Sequence, residues 1–388
     1  LKQIKSVFCG RVYTPVRELT SAVISFDGGT FGEIRSDSAP LSVGLDARNL
    51  IAAPGFVDLH IQGCGGNDFL DATPEAIHTI RQTALRGGCT SLLATTTFDN
   101  EPGAFERLEK TVLAIREGAK SPDGAHITGI HLEGPFLNIE KKGGFGSRYI
   151  RKPNLADFRR IMAIAGDDLK MITIAPELEG ALEIIKEAVA ASIVVSLGHT
   201  IADYNLARDC FDAGANHITH VFNAMTGLNH RGPGLIGAAL NDERVFVQAI
   251  PDGIHLHPAV LNLLYKLKGP QRICLITDAT APCGLPEGST LEGVGGTITI
   301  RNGAVRLPNG TLAGSALMMN EAVLRARNML QVPLAKILQM SSLTPAEAIR
   351  MEGAIGQIKT RHSADMVLFD DDFRIHYVVV RGKVTAIE

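Results

Sequence analysis

Between Leu50 and Thr277, eight short apolar, β-rich runs recur, each set off from the next by a helix-permissive stretch. They are Leu50–Ile61, Thr90–Thr97, Ile127–Leu132, Met171–Ala175, Ile193–Leu197, His217–Phe222, Val245–Ile250 and Ile273–Thr277. Parallel strands need crossover connections, and a helix is the usual crossover. Eight such units predict a (β/α)₈ barrel, which takes about 250 residues. The chain has 388, enough for the barrel and a smaller appendage.

The two ends of the sequence supply the appendage. Gln3–Phe8, Gly10–Tyr13, Ala22–Phe26 and Phe31–Ile34 read as short strands, separated by turn signals at Asp27-Gly28-Gly29 and Ser36–Pro40. Met366–Phe369, Ile375–Val380 and Lys383–Ile387 have the same character. We therefore expect a small β-sandwich domain from residues 1–53 and 356–388, flanking a catalytic barrel over 54–355. Within the barrel, Pro282–Ser315 breaks the rhythm and predicts a β-hairpin insertion facing the active end. Helices over Glu321–Leu330, Leu334–Met340 and Pro345–Met351 would complete the ring.

Several function classes are disfavoured. A net charge of −3 gives no reason to expect nucleic acid or an anionic membrane as partner. No apolar run reaches the roughly 18 residues of a membrane span, and Leu1–Gly10 lacks the core of a signal peptide. The six cysteines are scattered without a Cys-x-x-Cys pair, as expected of reduced thiols in a cytoplasmic protein.

The chemistry lies at the strand ends. Ser196–Thr200 and Thr219–Met225 each carry a histidine, His199 and His220, at the C-terminal end of a predicted strand, and a helical segment closed by Gly214 joins them. The C-terminal ends of barrel strands form the active face. Two neutral imidazoles there need a carboxylate to make a three-ligand zinc site with one open position. Strand three supplies it in His131-Leu132-Glu133-Gly134-Pro135. The competing role for Glu133 is an ion pair with Lys141 or Lys142, and His131 reads as a hydrogen-bonded neighbour more than a ligand. On strand one, alternation puts Asp58, His60 and Gln62 on one face. His60 is either a buried, hydrogen-bonded histidine or a ligand. Strand seven leads to Asp252-Gly253-Ile254-His255, where His255 either polarises a substrate carbonyl or lies on a surface loop; His257 reads as structural. Strand eight ends on Asp278, a general acid–base candidate or a cap for the next segment. Arg231, in the Gly/Pro-rich stretch His230–Gly234, suits a phosphate monoester through its fork of donors, with the backbone N–H groups of Asn223 and Ala224 beside it.

Taken together, Pro54–His60, His131–Phe136, Gly198–Thr200, Thr219–Met225, His230–Gly234, Asp252–His255 and Thr277–Thr280 resemble the amidohydrolase superfamily and, within it, the N-acetylglucosamine-6-phosphate deacetylases. The resemblance runs from about residue 50 to the turn at Leu312–Ser315. It implies that Glu133, His199 and His220 hold one divalent metal, with Zn²⁺ the first choice and a weaker second ion near His60 and Gln62. It implies that Asp278 is general base and then acid, and that His255 helps polarise the acetamide carbonyl. Asn223, Ala224 and Arg231 would meet the sugar phosphate. Gly144, Asp252, Gly253, Ile254, Leu312, Ala313 and Gly314 would line the sugar pocket. It further implies a homodimer, with Arg231 near the subunit contact.

The implied reaction is hydrolysis of N-acetyl-D-glucosamine 6-phosphate to glucosamine 6-phosphate and acetate. Rival readings are the N-acetylgalactosamine epimer, a cyclic-amide hydrolase, and a non-catalytic sugar-phosphate sensor. Strand four ends Ala175-Pro176-Glu177, without the lysine that bridges metals in other branches of the superfamily. Two positions depart from common family patterns: strand one reads His60-Ile61-Gln62, and Phe145 stands where many relatives carry a substrate-touching histidine, with Arg148 nearby as a substitute.

Overall fold

The computed structural model describes residues 4–36 and 43–387. Gln3 and the predicted turn from Asp37 to Pro40 lie outside the described residues.

The eight barrel strands are Phe56–Ile61, Cys89–Thr96, His126–Glu133, Leu169–Ile174, Val194–Leu197, His217–Ile218, Phe246–Ala249 and Ile273–Leu275. Each pairs in parallel with its sequence neighbour in the barrel. The eighth closes on the first just beyond its own end: Asp278 N donates to His60 O at 2.9 Å and Gln62 N to Ala279 O at 2.8 Å. Leu59, Leu92, Leu132, Ile172, Val195 and Val247 are all essentially inaccessible and by alternation face the surrounding helices. The residues between them, His60, Thr95, His131, Thr173, Ser196 and Gln248, point inward, where His60 meets Gln248 and His131 meets Thr95 and Thr173.

Two runs are shorter or divided relative to their sequence pattern. Leu50–Ile61 splits at Gly55, where a Cβ would strike the Thr90 side chain. Residues before it belong to a terminal sheet and residues after it to the barrel. The sixth strand stops at Ile218, because His220 and Phe222 adopt φ of 27° and 75° and leave the extended region.

Strands from both termini join in one seven-stranded sheet in the order Lys383–Ala386, Ile375–Val380, Met366–Phe369, Leu45–Pro54, Ser6–Tyr13, Glu18–Asp27 and Thr30–Ser36. The predicted pair Gln3–Phe8 and Gly10–Tyr13 is one strand, Ser6–Tyr13. Val7, Ile24, Phe31, Met366, Leu368 and Val379 form a separate apolar cluster on this sheet. Ile51, Ala53, Val367 and Phe369 alternate with them along the strands and join the barrel core.

The predicted hairpin insertion is a four-stranded antiparallel sheet, Thr290–Gly293, Gly296–Arg301, Ala304–Arg306 and Leu312–Ser315. Ile298, Ile300, Val305 and Leu307 give it a small core of its own. Among the described residues, no helix is long and apolar enough to cross a membrane, and the six cysteines are buried and unpaired.

Candidate metal centre and substrate cavity

Glu133 is the last residue of the third barrel strand, while His199 and His220 follow the fifth and sixth. Both histidines have positive φ, 50° and 27°, which turns their side chains across the barrel mouth. His199 Nε2 and His220 Nε2 each lie 3.2 Å from Glu133 Oε1, and 3.0 Å from one another. His199 Nδ1 is 2.7 Å from the carbonyl of Lys141; only an N–H makes that contact favourable. Nε2 of a neutral His199 is then a lone pair facing a carboxylate lone pair, which is repulsive unless a cation lies between them. Ligands about 2.1 Å from a tetrahedral ion sit about 3.4 Å apart, so the observed spacing fits a divalent metal. Among the described residues, these three side chains form the group of His, Cys, Asp or Glu whose ligand atoms converge.

The other carboxylate oxygen faces strand one. Glu133 Oε2 is 3.1 Å from His60 Nε2 and accepts from Gln62 Nε2 at 2.7 Å. His60 Nε2 is also 3.1 Å from Asp278 Oδ1. His60 Nδ1 lies 3.1 Å from Gln248 Oε1, which takes the His220 backbone N–H as well, at 3.3 Å. Burial disfavours a charge on His60, yet Glu133 and Asp278 outweigh it and lift its pKa to about 10. Burial alone would raise Glu133, but the charge favoured on His60 holds it well below the usual carboxylate range. His220 is lowered, chiefly by burial. Asp58 packs beneath, accepting from Thr277 Oγ1 at 2.6 Å, and burial pushes it up to about 6.

Glu133 forms no pair with Lys142, whose Nζ donates to Phe145 O at 2.9 Å. His131 is buried and bonded to Thr173 Oγ1 (2.8 Å) and the Leu59 carbonyl (3.2 Å), apart from the converging group.

A cavity of about 240 Å³ opens over these atoms. Gln62, Glu133, His199, His220, Asp278 and His255 form its floor and near wall. Gly144, Asn223, Ala224, Leu312, Ala313 and Gly314 line it as well. The insertion sheet contributes Gly293, Val294, Gly295, Ile298 and Thr311. Gly295 packs so closely that a Cβ would collide with Gly144 O. Asp252 Oδ2 holds His255 Nδ1 at 2.6 Å, while its Oδ1 takes the backbone N–H groups of Ile254 and His255 at 2.8 and 2.7 Å. Asp252, Gly253 and Ile254 thus stand behind His255, whose other ring nitrogen remains for the cavity.

Three placements differ from the sequence reading. Arg231 is exposed, with Nε donating to His230 Nε2 at 3.1 Å, and is not among the cavity-lining residues. The Asn223 backbone N–H is committed to His220 O at 2.9 Å, so it is not free for a phosphate. Both nitrogens of His60 and the amide of Gln62 already contact protein groups; a second ion beside them would displace those bonds. Phe145 is buried, its ring edge-on to His199 with centroids 5.4 Å apart. Sequence reasoning passed over Gln248, a polar residue inside the apolar run Val245–Ile250, and Asp68, which lines the cavity.

Comparison with known proteins follows the same lines. The amidohydrolase family model matches residues 51–385. N-acetylglucosamine-6-phosphate deacetylase of Haemophilus influenzae is 35% identical over 347 residues, 88% of each chain. N-acetylgalactosamine-6-phosphate deacetylase of Escherichia coli is 32% identical over 349 residues, 89% of this chain and 91% of that one. The crystal structure of N-acetylglucosamine-6-phosphate deacetylase from Pasteurella multocida superimposes with a TM-score of 0.91, at 31% identity over 99% of this chain and 100% of that one.

Proposed function

Because the chain belongs to the amidohydrolase family, we propose that it hydrolyses the acetamide of N-acetyl-D-glucosamine 6-phosphate, releasing acetate and glucosamine 6-phosphate. The observation that carries this reading is the meeting of Glu133, His199, His220, His255 and Asp278 around one cavity. The chain is also similar over most of its length to N-acetylglucosamine-6-phosphate deacetylases from several organisms. One galactosamine-type relative at 32% identity makes the epimer the comparison to run.

Glu133, His199 and His220 would hold one divalent ion, for which two imidazoles and a carboxylate make a zinc-type donor set. Bound there, the ion supplies Lewis acidity and a water acidified toward neutral pH. The chain's residues do the rest. Asp278 takes the proton of the attacking water and later delivers it to the departing amine nitrogen. His60, 3.1 Å from Asp278 Oδ1, fixes the direction of that carboxylate. His255, tied through Nδ1 to Asp252, presents Nε2 to the carbonyl oxygen as negative charge develops there. The Asn223–Ala224 turn and the Leu312–Gly314 strand wall the sugar.

Arg231 suits the phosphate, and its exposed place away from its own cavity fits a homodimer in which it lies near the subunit contact. We assign the protein to the cytoplasm, where a sugar phosphate substrate is at hand.

The deciding experiment measures acetate released from N-acetylglucosamine 6-phosphate by metal-quantified protein, with and without chelator, beside the galactosamine epimer and the unphosphorylated sugar. Chelator-sensitive release that prefers the phosphorylated gluco substrate is expected. Equal turnover without the phosphate would remove Arg231's role. No release from metal-loaded protein would overturn the function.

A further inference from the structure

The fourth barrel strand, Leu169–Ile174, runs on into Ala175-Pro176-Glu177. Among the described residues, Glu177 is outside both the converging ligand group and the cavity lining. Its partly buried carboxylate nonetheless accepts three hydrogen bonds, all from residues beside the metal centre. Oε1 accepts from Asn138 Nδ2 at 2.7 Å and from the Ile201 backbone N–H at 2.8 Å. Oε2 accepts from Thr200 Oγ1. Asn138 and Thr200 are both buried.

Each of these partners holds a ligand in turn. Asn138 caps the short helical turn Ile139–Lys141 that lies beyond Glu133. That turn grips His199 at two points: Asn138 N donates to His199 O at 3.0 Å, and His199 Nδ1 donates to Lys141 O at 2.7 Å. Thr200 follows His199 directly and ties the next loop as well. Its N–H donates to Ala224 O and its carbonyl accepts from Thr226 N, both at 3.2 Å. Glu177 thereby joins the segments past the third, fifth and sixth strands, which follow Glu133 and carry His199 and His220.

The grip has a chemical consequence. With the Nδ1 proton on Lys141 O, the Nε2 lone pair of His199 faces Glu133 and His220. A shift of the Asn138–Lys141 turn would loosen that bond and free the ring to rotate. His199 also needs restraint because its φ of 50° is unfavourable for a residue with a Cβ. A carboxylate suits the task, since it is acceptor-only and its two oxygens serve all three donors. We propose that Glu177 is a positioning residue for the metal centre: by tying Asn138 to Thr200 and Ile201 it fixes the His199 ring for metal binding. This rests on the reading of Glu133, His199 and His220 as metal ligands, and it makes no demand on the identity of the substrate.

The test reads the metal directly. Zinc affinity is measured by chelator competition, and the visible spectrum of the cobalt-loaded protein reports the arrangement of its ligands. Both are run on the parent, Glu177→Ala and Glu177→Gln, beside thermal unfolding of the metal-free proteins. Glu177→Ala should bind zinc about 10–100-fold more weakly, the usual cost of losing a group that orients a ligand, and should shift the cobalt spectrum. An amide has one acceptor oxygen, so Glu177→Gln should show the same changes at smaller size. A role confined to stability would lower the unfolding temperature of the metal-free protein and leave zinc affinity and cobalt spectrum at parent values. That result in folded Glu177→Ala would overturn the proposal. Should Glu177→Ala fail to fold, parent-like values in Glu177→Gln would overturn it. A parent protein that binds neither zinc nor cobalt would sink the metal centre and the proposal together, whereas a metal-loaded parent that releases no acetate would count against the deacetylase reading alone.

Discussion

Asp278→Asn isolates proton transfer from everything else at the site. The Asp278 backbone is held at φ 49° by its N–H on His60 O (2.9 Å) and its carbonyl on Ser315 N (2.7 Å). Asparagine tolerates this left-handed geometry and keeps the side chain's volume. Neither the fold nor the Glu133–His199–His220 group should move. What is lost is the ability to accept a proton from water and return it to the amine. General acid–base help is worth about 10²–10⁴-fold, or about 2.7–5.4 kcal/mol of activation free energy at 1.36 kcal/mol per decade. A residue serving both half-steps belongs toward the upper end. Acetate release at saturating substrate should therefore drop by about 10³–10⁴-fold, with KM near the parent value and metal content unchanged. A variant that retains its metal and turns over within tenfold of the parent would refute the assignment.

Glu133→Gln should reduce bound metal to a small fraction of one ion per chain in elemental analysis and abolish deacetylation, because a neutral amide replaces the only anionic ligand among the three. Arg81→Met should lower stability by about 2–4 kcal/mol in denaturant melts without affecting metal content: the buried guanidinium donates to the carbonyls of Ala125, Gly118 and Ser121 at 2.7, 2.5 and 2.8 Å, and unpaired buried acceptors cost about 1–3 kcal/mol each. Asp58, raised from 3.8 to about 6 by burial, binds its proton more tightly folded than unfolded. Its stabilising contribution is present below about pH 4 and lost as pH rises through 6. Asp58→Asn should flatten that part of the stability–pH curve, and an unaltered slope between pH 4 and 6 would contradict the shift.

The barrel was legible because the runs are short, mostly apolar and β-branched, and several lead to a polar residue at or just past the C-terminal end, as in parallel strands buried on both faces. Glu133, His199, His220 and Asp278 could be picked out for the same reason: each breaks an apolar run at its C-terminal end. Gln248 breaks a run too, but in the middle, and its meaning depends on His60 from a strand 188 residues away. Its signal was present all the same, since a polar side chain inside a barrel strand must meet another polar group. Asp68 carried no such mark. It lies in a Gly-rich turn, and only the cavity distinguishes it. The insertion looked like a hairpin because its glycines obscured the alternation of Ile298, Ile300 and Val305, which the structure gathers into a core of its own.

The same backbone feature that shortened the sixth strand builds the site. His199, His220, Phe222, Ala224 and Asp278 all adopt positive φ, a conformation that costs a non-glycine residue about 1–3 kcal/mol where it is strained. Along a strand, successive side chains alternate between the barrel interior and the helices. His60 and Glu133 follow this pleat and reach the site from inside the barrel; the groups past the other strand ends do not. Turning the backbone at the last residue swings the imidazole or carboxylate over the mouth, where donors from different strands meet at 3.0–3.2 Å. Glycine would relieve the strain and remove the ligand with it, so the neighbours must hold the turn. Asn138 N bonds His199 O at 3.0 Å, Thr200 N bonds Ala224 O at 3.2 Å, and Asp278 is held from both sides by His60 and Ser315. Backbone hydrogen bonds among the loops that follow the barrel strands thus hold the turns from which the ligand atoms converge.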